Sequence, residues 1–330
     1  MAQVSLIIAI YNAAKTLEDC LDSVLKQSFK EWECILVNDG STDDSPSIID
    51  KYGRLDERFV CLSKKNEGSP AKARQFALSR VKAPFVSSID ADDLICPDSL
   101  ETLVMRQNET GADVIVPTLR CFDGEISHVK WELPRDSFDK EMVVNGRDAC
   151  LLTMPEWVIG FNGALIRKDL MVSTSSGKWM NSDELKTREI LLNSRSVAFS
   201  DAVYYYRSNP ESITKVISPR IFDKTIVEGQ IVRFAEKHFP ENAALIEKLR
   251  RRHFSGLQYN IVLLEKEKNR FTQEEQEAIE RVLSESYHSI KVLPLLKSSF
   301  KWGVAVALLR GYKGYKRLVL HHFKSSITDF

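Results

Sequence analysis

Two hydrophobic periods alternate across the first 120 residues of this chain, and that alternation limits its fold more than any other feature. Short β-branched runs at Val4–Ile10, Cys34–Val37, Phe59–Leu62, Phe85–Ile89 and Val114–Val116 are separated by longer stretches with apolar residues at helical spacing. Such an alternation predicts βαβ units, hence an α/β fold on a mostly parallel sheet flanked by helices. Leu17, Leu21, Val24 and Leu25 mark the buried stripe of the first helix. Ser69-Pro70 predicts a helix over 71–80, because serine caps free N–H groups and proline is tolerated at the first helical position. Pro97 opens another in the same way.

Beyond residue 120 the pattern changes. Asp123-Gly124, Asn145-Gly146 and Gly160-Phe161-Asn162-Gly163 punctuate a mixed region up to about 215, which predicts irregular strands and loops around a site. From Ser218 onward the signal is helical, with charged periodic segments at Glu228–His238, Asn242–Leu264 and Thr272–Leu283. The expected organisation is a catalytic domain over 1–215, divided into halves 1–120 and 121–215, followed by a helical C-terminal extension over 216–330.

Composition removes several classes of function. Lys+Arg 46 balances Asp+Glu 46, so no global positive field argues for nucleic-acid binding. The cysteines at 20, 34, 61, 96, 121 and 150 lie far apart, with no C-x-x-C pair and no zinc spacing, which fits a reduced, cytoplasmic compartment. The N-terminus lacks a charged n-region and reads as a buried strand, and no apolar run reaches the roughly 18 residues of a membrane span. Six histidines have no partners at ligand spacing and read as surface or packing residues.

Polar residues collect where an α/β sheet binds its ligands, beyond the carboxyl ends of the strands. Tyr11-Asn12 follows the first run, Asn38-Asp39-Gly40-Ser41 the second, Asn66-Glu67-Gly68 the third and Asp90-Ala91-Asp92-Asp93 the fourth. Paired carboxylates at such a tip suit Mg²⁺ or Mn²⁺, which keeps waters and shares phosphate oxygens. A solvated acidic turn or helix cap fits the same residues. Asp39 could accept from a ribose hydroxyl or base N–H, or could simply serve a turn and N-cap. Neither G-x-G-x-x-G nor a P-loop is present, so a bound diphosphate would be met by metal and side chains.

Ile7-Ile8-Ala9-Ile10-Tyr11-Asn12, Val37-Asn38-Asp39-Gly40-Ser41-Thr42-Asp43, Asn66-Glu67-Gly68 with Ala73-Arg74, and Asp90-Ala91-Asp92-Asp93 resemble, in order and spacing, the donor half of family 2 glycosyltransferases with the GT-A fold. The resemblance reaches more weakly to about residue 215 and does not cover the rest. It implies a donor site of Ala9, Tyr11, Asn12, Asp39, Asn66, Gly68, Arg74, Asp90, Ala91 and Arg207. In that site Tyr11 and Asp39 would hold the nucleobase, Asp90 would lie near the ribose, and Asp92, with Asp90, would hold the metal. Ala9 stands where many members have Pro, and Gln75 where many have Asn.

Inverting transfer needs a general base for the acceptor hydroxyl. The family supplies it from a Glu-Asp pair past mid-chain, and here Asp183-Glu184 occupies that place in reversed order. Glu184 takes the base position by register, with Asp183 as the alternative and a helix-capping pair as the bland reading. Arg207, Asn209 and Ser212 fall on a loop after a tyrosine-rich strand. The resemblance implies a segment closing over the diphosphate, against an arginine stacked on Tyr205 or Tyr206. Trp157 and Asn162 are placed on the acceptor side, or Trp157 in the core.

Between Lys291 and Lys324 eight cations, among them Lys297 and Arg310, interleave with Trp302, Tyr312, Tyr315, Leu318 and Leu320, and no acidic residue occurs. That pattern fits a helix lying in an anionic membrane interface, against ordinary docked helices. The expectation is a metal-dependent inverting glycosyltransferase. It would move a sugar from a UDP-sugar to a hydroxyl of a glycan or lipid-linked glycan, as in cell-surface polysaccharide synthesis, and act in the cytoplasm or on the cytoplasmic face of a membrane. A sugar-phosphate nucleotidyltransferase and a non-catalytic nucleotide-sugar binding module are the alternatives.

Overall fold

The computed structural model describes residues 2–172, 179–209, 216–292, 300–309 and 311–324. Ser212, Lys297 and Arg310 lie outside them. The chain divides into two compact units. Met1–Lys178 with Lys186–Asn209 forms the first, and Trp179–Leu185 with Pro210–Phe330 the second.

The first unit is built on one ten-stranded sheet. Its strands are β1 (Val4–Ile10), β2 (Trp32–Asn38), β3 (Phe59–Ser63), β4 (Phe85–Asp90), β5 (Leu94–Ile95), β6 (Val114–Asp123), β7 (Glu125–Leu133), β8 (Val143–Val144), β9 (Leu165–Arg167) and β10 (Val197–Arg207). The order is β3-β2-β1-β4-β9-β6-β10-β5, with β7 beside β6 and β8 beside β10. The run β3-β2-β1-β4 is parallel, as the alternation predicts, and so is the long β6–β10 pair. The short strands β5, β8 and β9, and the nine-residue β7, pair antiparallel. The punctuated region 120–215 is therefore more regular than its sequence suggests, since it holds the nine-residue β7 and the eleven-residue β10.

Helices α1 (Ala14–Leu25), α2 (Ser45–Leu55), α3 (Pro70–Leu78) and α4 (Ser99–Thr110) alternate with the first strands, and α5 (Gly146–Leu151), α6 (Lys168–Val172) and α7 (Ser182–Asn193) follow. β1 and β2 are buried along nearly their whole length, which explains their continuous apolar runs: strands covered on both faces have no solvent side to alternate with. Leu17, Leu21 and Val24 of α1 pack into the core with Leu6, Ile8, Ile10 and Leu36, as the stripe predicts. Ser69 occupies the N-cap position of α3, but its hydroxyl makes no capping bond.

The second unit is helical. α8 (Lys224–His238), α9 (Ala243–Glu267) and α10 (Gln273–His288) begin within about five residues of the predicted segments. Asn242 caps α9, and Thr272 with Glu275 forms a reciprocal capping box at α10. Two further helices, Phe300–Leu308 and Tyr312–His322, correct the interfacial-helix expectation in one respect. Tyr312, Tyr315 and Val319 are buried with Phe254, Leu257, Leu283 and Tyr287, and Trp302 packs against that core, so these side chains face protein and not lipid. Lys316 pairs with Glu280, and Lys291 with Glu236. No helix among the described residues is long and apolar enough to cross a membrane.

Candidate active site

β1 has β2 on one side and β4 on the other, so strand order reverses between β1 and β4, the point at which open α/β sheets form a ligand crevice. The register aligns Ile10 with Asn38 and Ala9 with Asp90. Tyr11-Asn12, Asn38-Asp39 and Asp90–Asp93 therefore leave the sheet side by side. The tyrosine ring is half exposed. Asn12 adopts the left-handed conformation (φ 49°), which asparagine tolerates, and its Oδ1 accepts from the Thr42 N–H at 2.8 Å. That bond ties the first strand end to the second.

The Asp39 loop separates the two readings its sequence allowed. Asn38 Oδ1 accepts from Ser41 N at 2.9 Å, and Asp43 accepts from the Ala14 and Ser45 amides, so these residues perform the turn and capping work. Asp39 is free of that role. It is buried and its Oδ1 meets Lys64 Nζ at 2.8 Å, while Lys64 also reaches Glu67 at 2.9 Å. Burial opposes the Lys64 charge, but these two carboxylates hold its pKa above the usual lysine range. Gly40 sits at φ 73°, and a Cβ there would come within 2.9 Å of Asn66 N, so the second and third loops touch only because this residue is glycine. Asn66 Oδ1 in turn accepts from Gly68 N.

Arg74, on α3, forms an ion pair with Asp90, whose other oxygen accepts from Asn162 Nδ2 at 3.4 Å. Asp93 is fully buried and serves as a strut: it accepts from Tyr204 Oη at 2.6 Å and from Arg207 N at 2.8 Å. The Tyr204 hydroxyl accepts in turn from Asp90 N at 3.1 Å. Tyr204 lies so close to Gly163 that a Cβ there would come within 2.4 Å of its ring. The middle residue of the turn, Ala91, is buried, and its carbonyl accepts from Thr16 Oγ1 at 3.1 Å.

Asp92 differs from both neighbouring aspartates in its partners: Arg74 and Asn162 engage Asp90, Tyr204 and the Arg207 amide engage Asp93, and among the described residues no ion pair involves the Asp92 carboxylate. Burial first, and the Asp90 charge second, push its pKa above the ordinary carboxylate range, and the Arg207 charge draws it only part of the way back. Negative charge gathered at a strand tip and only partly offset is the electrostatic condition a cation relieves. Asp92 thus fits a metal ligand, whereas Asp90 is already engaged by Arg74 and Asn162. No cluster of three or more His, Cys, Asp or Glu capable of holding a metal occurs among the described residues, so an ion here would draw its remaining ligands from water and phosphate oxygens, the usual habit of Mg²⁺.

Arg207 is the last residue of β10 and not part of a following loop. Its guanidinium lies over Phe122 (5.0 Å), not on Tyr205 or Tyr206, donates to the Asp92 carbonyl at 2.8 Å and pairs with Asp19 at 3.0 Å. Trp157 is partly buried beneath the Arg188 guanidinium (4.8 Å), which itself donates to Thr153 O. Asp183 and Glu184 open α7 and belong to the second unit. There Glu184 accepts from Asn181 Nδ2 at 3.4 Å and acts electrostatically on Lys224 and Glu228 of α8.

Three residues had no assigned role in the sequence reading. Lys64, which fixes Asp39, was signalled only by its place just past β3. Tyr204 belongs to the tyrosine-rich strand, but its bond to Asp93 depends on strand pairing across more than a hundred residues. Lys186, in the first unit, has its pKa lowered by burial first and by the Arg74 charge second.

Comparison with known proteins decides the lineage. The family described as Glycosyl transferase family 2 matches residues 5–171, half of the chain. The chain belongs to that family. As a family 2 glycosyltransferase it is similar to "Glycosyltransferase GlyG" of Streptococcus pneumoniae, with 29% identity over 68% of this chain and 77% of that protein. It is also similar to "Poly(ribitol-phosphate) beta-N-acetylglucosaminyltransferase TarS" of Staphylococcus aureus, with 27% identity over 77% of this chain but only 45% of TarS. The solved structure of residues 1–349 of S. aureus TarS in complex with UDP-GlcNAc superposes with a TM-score of 0.67 at 21% identity, covering 99% of this chain and 92% of that one. The GT-A fold expected from the motifs is thereby shared, and the helices that follow the catalytic fold are part of the match.

Proposed function

We propose that this glycosyltransferase moves one sugar, with inversion, from a UDP-sugar to a hydroxyl of a glycan or lipid-linked glycan in cell-surface polysaccharide synthesis. The observation that carries the reading is the convergence of four strand-end segments beside an Asp92 carboxylate that makes no ion pair among the described residues and whose pKa burial and Asp90 raise. The UDP-GlcNAc named for the TarS complex makes that nucleotide sugar the first donor to test.

In this reading Tyr11 and Asp39 hold the nucleobase, with Asp39 kept in place by Lys64. Asn12, Asn66, Gly68 and Ala9 shape the loops around it, and Arg74 fixes Asp90 beside the ribose. Mg²⁺ or Mn²⁺ held by Asp92 supplies charge neutralisation of the departing diphosphate when bound. Arg207 braces the acidic turn through the Asp92 carbonyl. The acceptor oxygen attacks the anomeric carbon as the bond from that carbon to the phosphate oxygen breaks. The electron pair leaves with the nucleoside diphosphate, and the acceptor proton passes to a carboxylate, assigned to Glu184 with Asp183 as the alternative.

The test is nucleoside diphosphate release from UDP-GlcNAc and from a panel of other UDP-, GDP- and dTDP-sugars, with Mn²⁺, with Mg²⁺ and in chelator. Metal-dependent release that is lost in Asp92→Ala, with the melting temperature kept, is the expected result. Full activity of the variant in chelator would remove the metal assignment. Binding of a nucleotide sugar with no turnover of any donor would leave a binding module in place of an enzyme.

The membrane contact we propose is electrostatic only, since Tyr312 and Tyr315 are buried and Trp302 packs against the core of the helical unit. Lys313, Arg317 and Lys324 are exposed there. Co-sedimentation with anionic liposomes that disappears in high salt is expected, and equal recovery in the soluble fraction with neutral and anionic liposomes at both salt levels refutes it.

A further inference from the structure

Trp131 lies on β7, a strand paired among the described residues with β6 alone, and its large side chain is 44% exposed. Strand register explains where it points. Tyr206 of β10 pairs with Cys121 of β6, and Cys121 pairs with Trp131, so the three form one row across three strands on the same face of the sheet. The two rings meet above Cys121, with centroids 6.1 Å apart and planes tilted by 33°, and the thiol beneath is buried. Across directly paired residues, aromatic rings of this kind form a continuous surface.

That surface adjoins the acidic turn. Tyr204 and Tyr206 alternate onto the same face of β10, and Tyr204 ends on Asp93. Tyr206 lies within the field of the same loop: burial first, then the charges of Asp93, Asp92 and Asp90, push its hydroxyl up to about 12. The aromatic row therefore starts at the carboxylates of the donor crevice and runs outward to a half-exposed indole. That indole's N–H donates to no described residue. The strand is held in place, since Lys130 pairs with Asp123 at 2.6 Å and reaches Ser208 Oγ at 3.4 Å.

We propose that Trp131, with Tyr206 beside it, is the platform on which a pyranose ring of the acceptor glycan stacks. The chemistry suits the geometry. The face of an aromatic ring is electron-rich, one face of a pyranose presents several C–H bonds of positive polarity, and the indole N–H is available for a ring hydroxyl. Continuity with the donor crevice selects this occupant: the hydroxyl to be glycosylated must come close to the acidic turn, and this row is an open apolar surface leading away from it. The assignment rests on the glycosyl-transfer reading and names the acceptor class within it.

The experiment compares wild type, Trp131→Ala and Trp131→Phe in UDP release from UDP-GlcNAc. Release is measured with water alone and with the methyl β-glycosides of glucose, galactose, N-acetylglucosamine and N-acetylmannosamine. Stimulated release with at least one glycoside is expected in wild type. In Trp131→Ala the KM for that glycoside should rise about tenfold, with donor KM within about twofold, and Trp131→Phe should recover part of the loss. An unchanged glycoside KM in Trp131→Ala overturns the proposal, and so does wild type that hydrolyses the donor but answers to none of the glycosides. Failure of wild type to release UDP at all would instead count against the donor reading. Size-exclusion chromatography of the same variants covers the other use of an exposed edge strand: loss of a dimer on Trp131→Ala, with glycoside KM unchanged, would assign the strand to contact between copies and likewise overturn the acceptor role.

Discussion

Replacing Tyr204 with Phe removes one hydroxyl and, by the geometry of the acidic turn, two hydrogen bonds. The first is donated to the fully buried Asp93 at 2.6 Å, and the second is accepted from Asp90 N at 3.1 Å. A bond to a charged group is worth about 1.5–3 kcal/mol, and the backbone amide left without its partner adds on the order of 1 kcal/mol. The ring itself is retained, so no cavity larger than one oxygen forms. The sum, about 2.5–4 kcal/mol, corresponds to a fall of roughly 5–15 °C in the melting transition of a unit of this size. Calorimetry in chelator isolates the effect from any bound cation. Activity below the transition should fall as well, because the same hydroxyl sets the position of Asp90 through its amide and of Asp92 through the turn. A second arm combines the change with Asp93→Asn: if the two residues act through one bond, the double variant loses clearly less than the sum of the singles. A melting temperature within about 1 °C of wild type, or strict additivity in the cycle, would refute the strut.

Asp39→Ala should raise the donor KM by about 10–100-fold with a smaller effect on kcat, since a base or ribose contact forms equally in ground and transition states; an unchanged KM with collapsed kcat sinks the assignment. Glu184→Gln is expected to lower kcat by about 10²–10⁴ with donor affinity spared, and Asp183→Asn to do less; near-normal kcat in both leaves neither as the base. His253, buried with Nε2 2.9 Å from Ser286 Oγ, has its pKa brought down to about 4 by burial first and Arg233 second. The unfolded chain then binds the extra proton between pH 6.5 and about 4. Stability of the helical unit is full above pH 6.5 and falls across that window, by at most about 3 kcal/mol. His253→Gln should flatten that part of the stability profile, and an unchanged slope would show that other groups set it.

The donor half was legible because its signals are local. An apolar strand run followed at once by Tyr11-Asn12, Asn38-Asp39-Gly40 or Asp90-Ala91-Asp92-Asp93 fixes both the parallel sheet and the edge at which those residues emerge, since strand length and turn chemistry are near-neighbour properties. The first helix's stripe was readable for the same reason. The basic C-terminal stretch was readable as helix but not as to what its aromatic residues face: an apolar stripe is the same whether it meets lipid or protein, and only the packing of Tyr315 against Phe254 and Tyr287 distinguishes them.

What the tertiary structure alone decided is the division of labour among chemically identical groups. Asp90, Asp92 and Asp93 are three carboxylates within four residues, equal in sequence. Arg74 and Asn162 claim the first, Tyr204 and the Arg207 amide claim the third, and the second makes no ion pair among the described residues. Asp39 was freed from its turn only because Asn38 and Asp43 supply the turn's acceptors, and it was fixed by a lysine from the next strand end. The Tyr206–Cys121–Trp131 row exists only once β6, β7 and β10 pair in one register. Each of these outcomes depends on partners brought together across tens to more than a hundred residues, and a carboxylate's role is set by its neighbours in space, which sequence spacing does not encode.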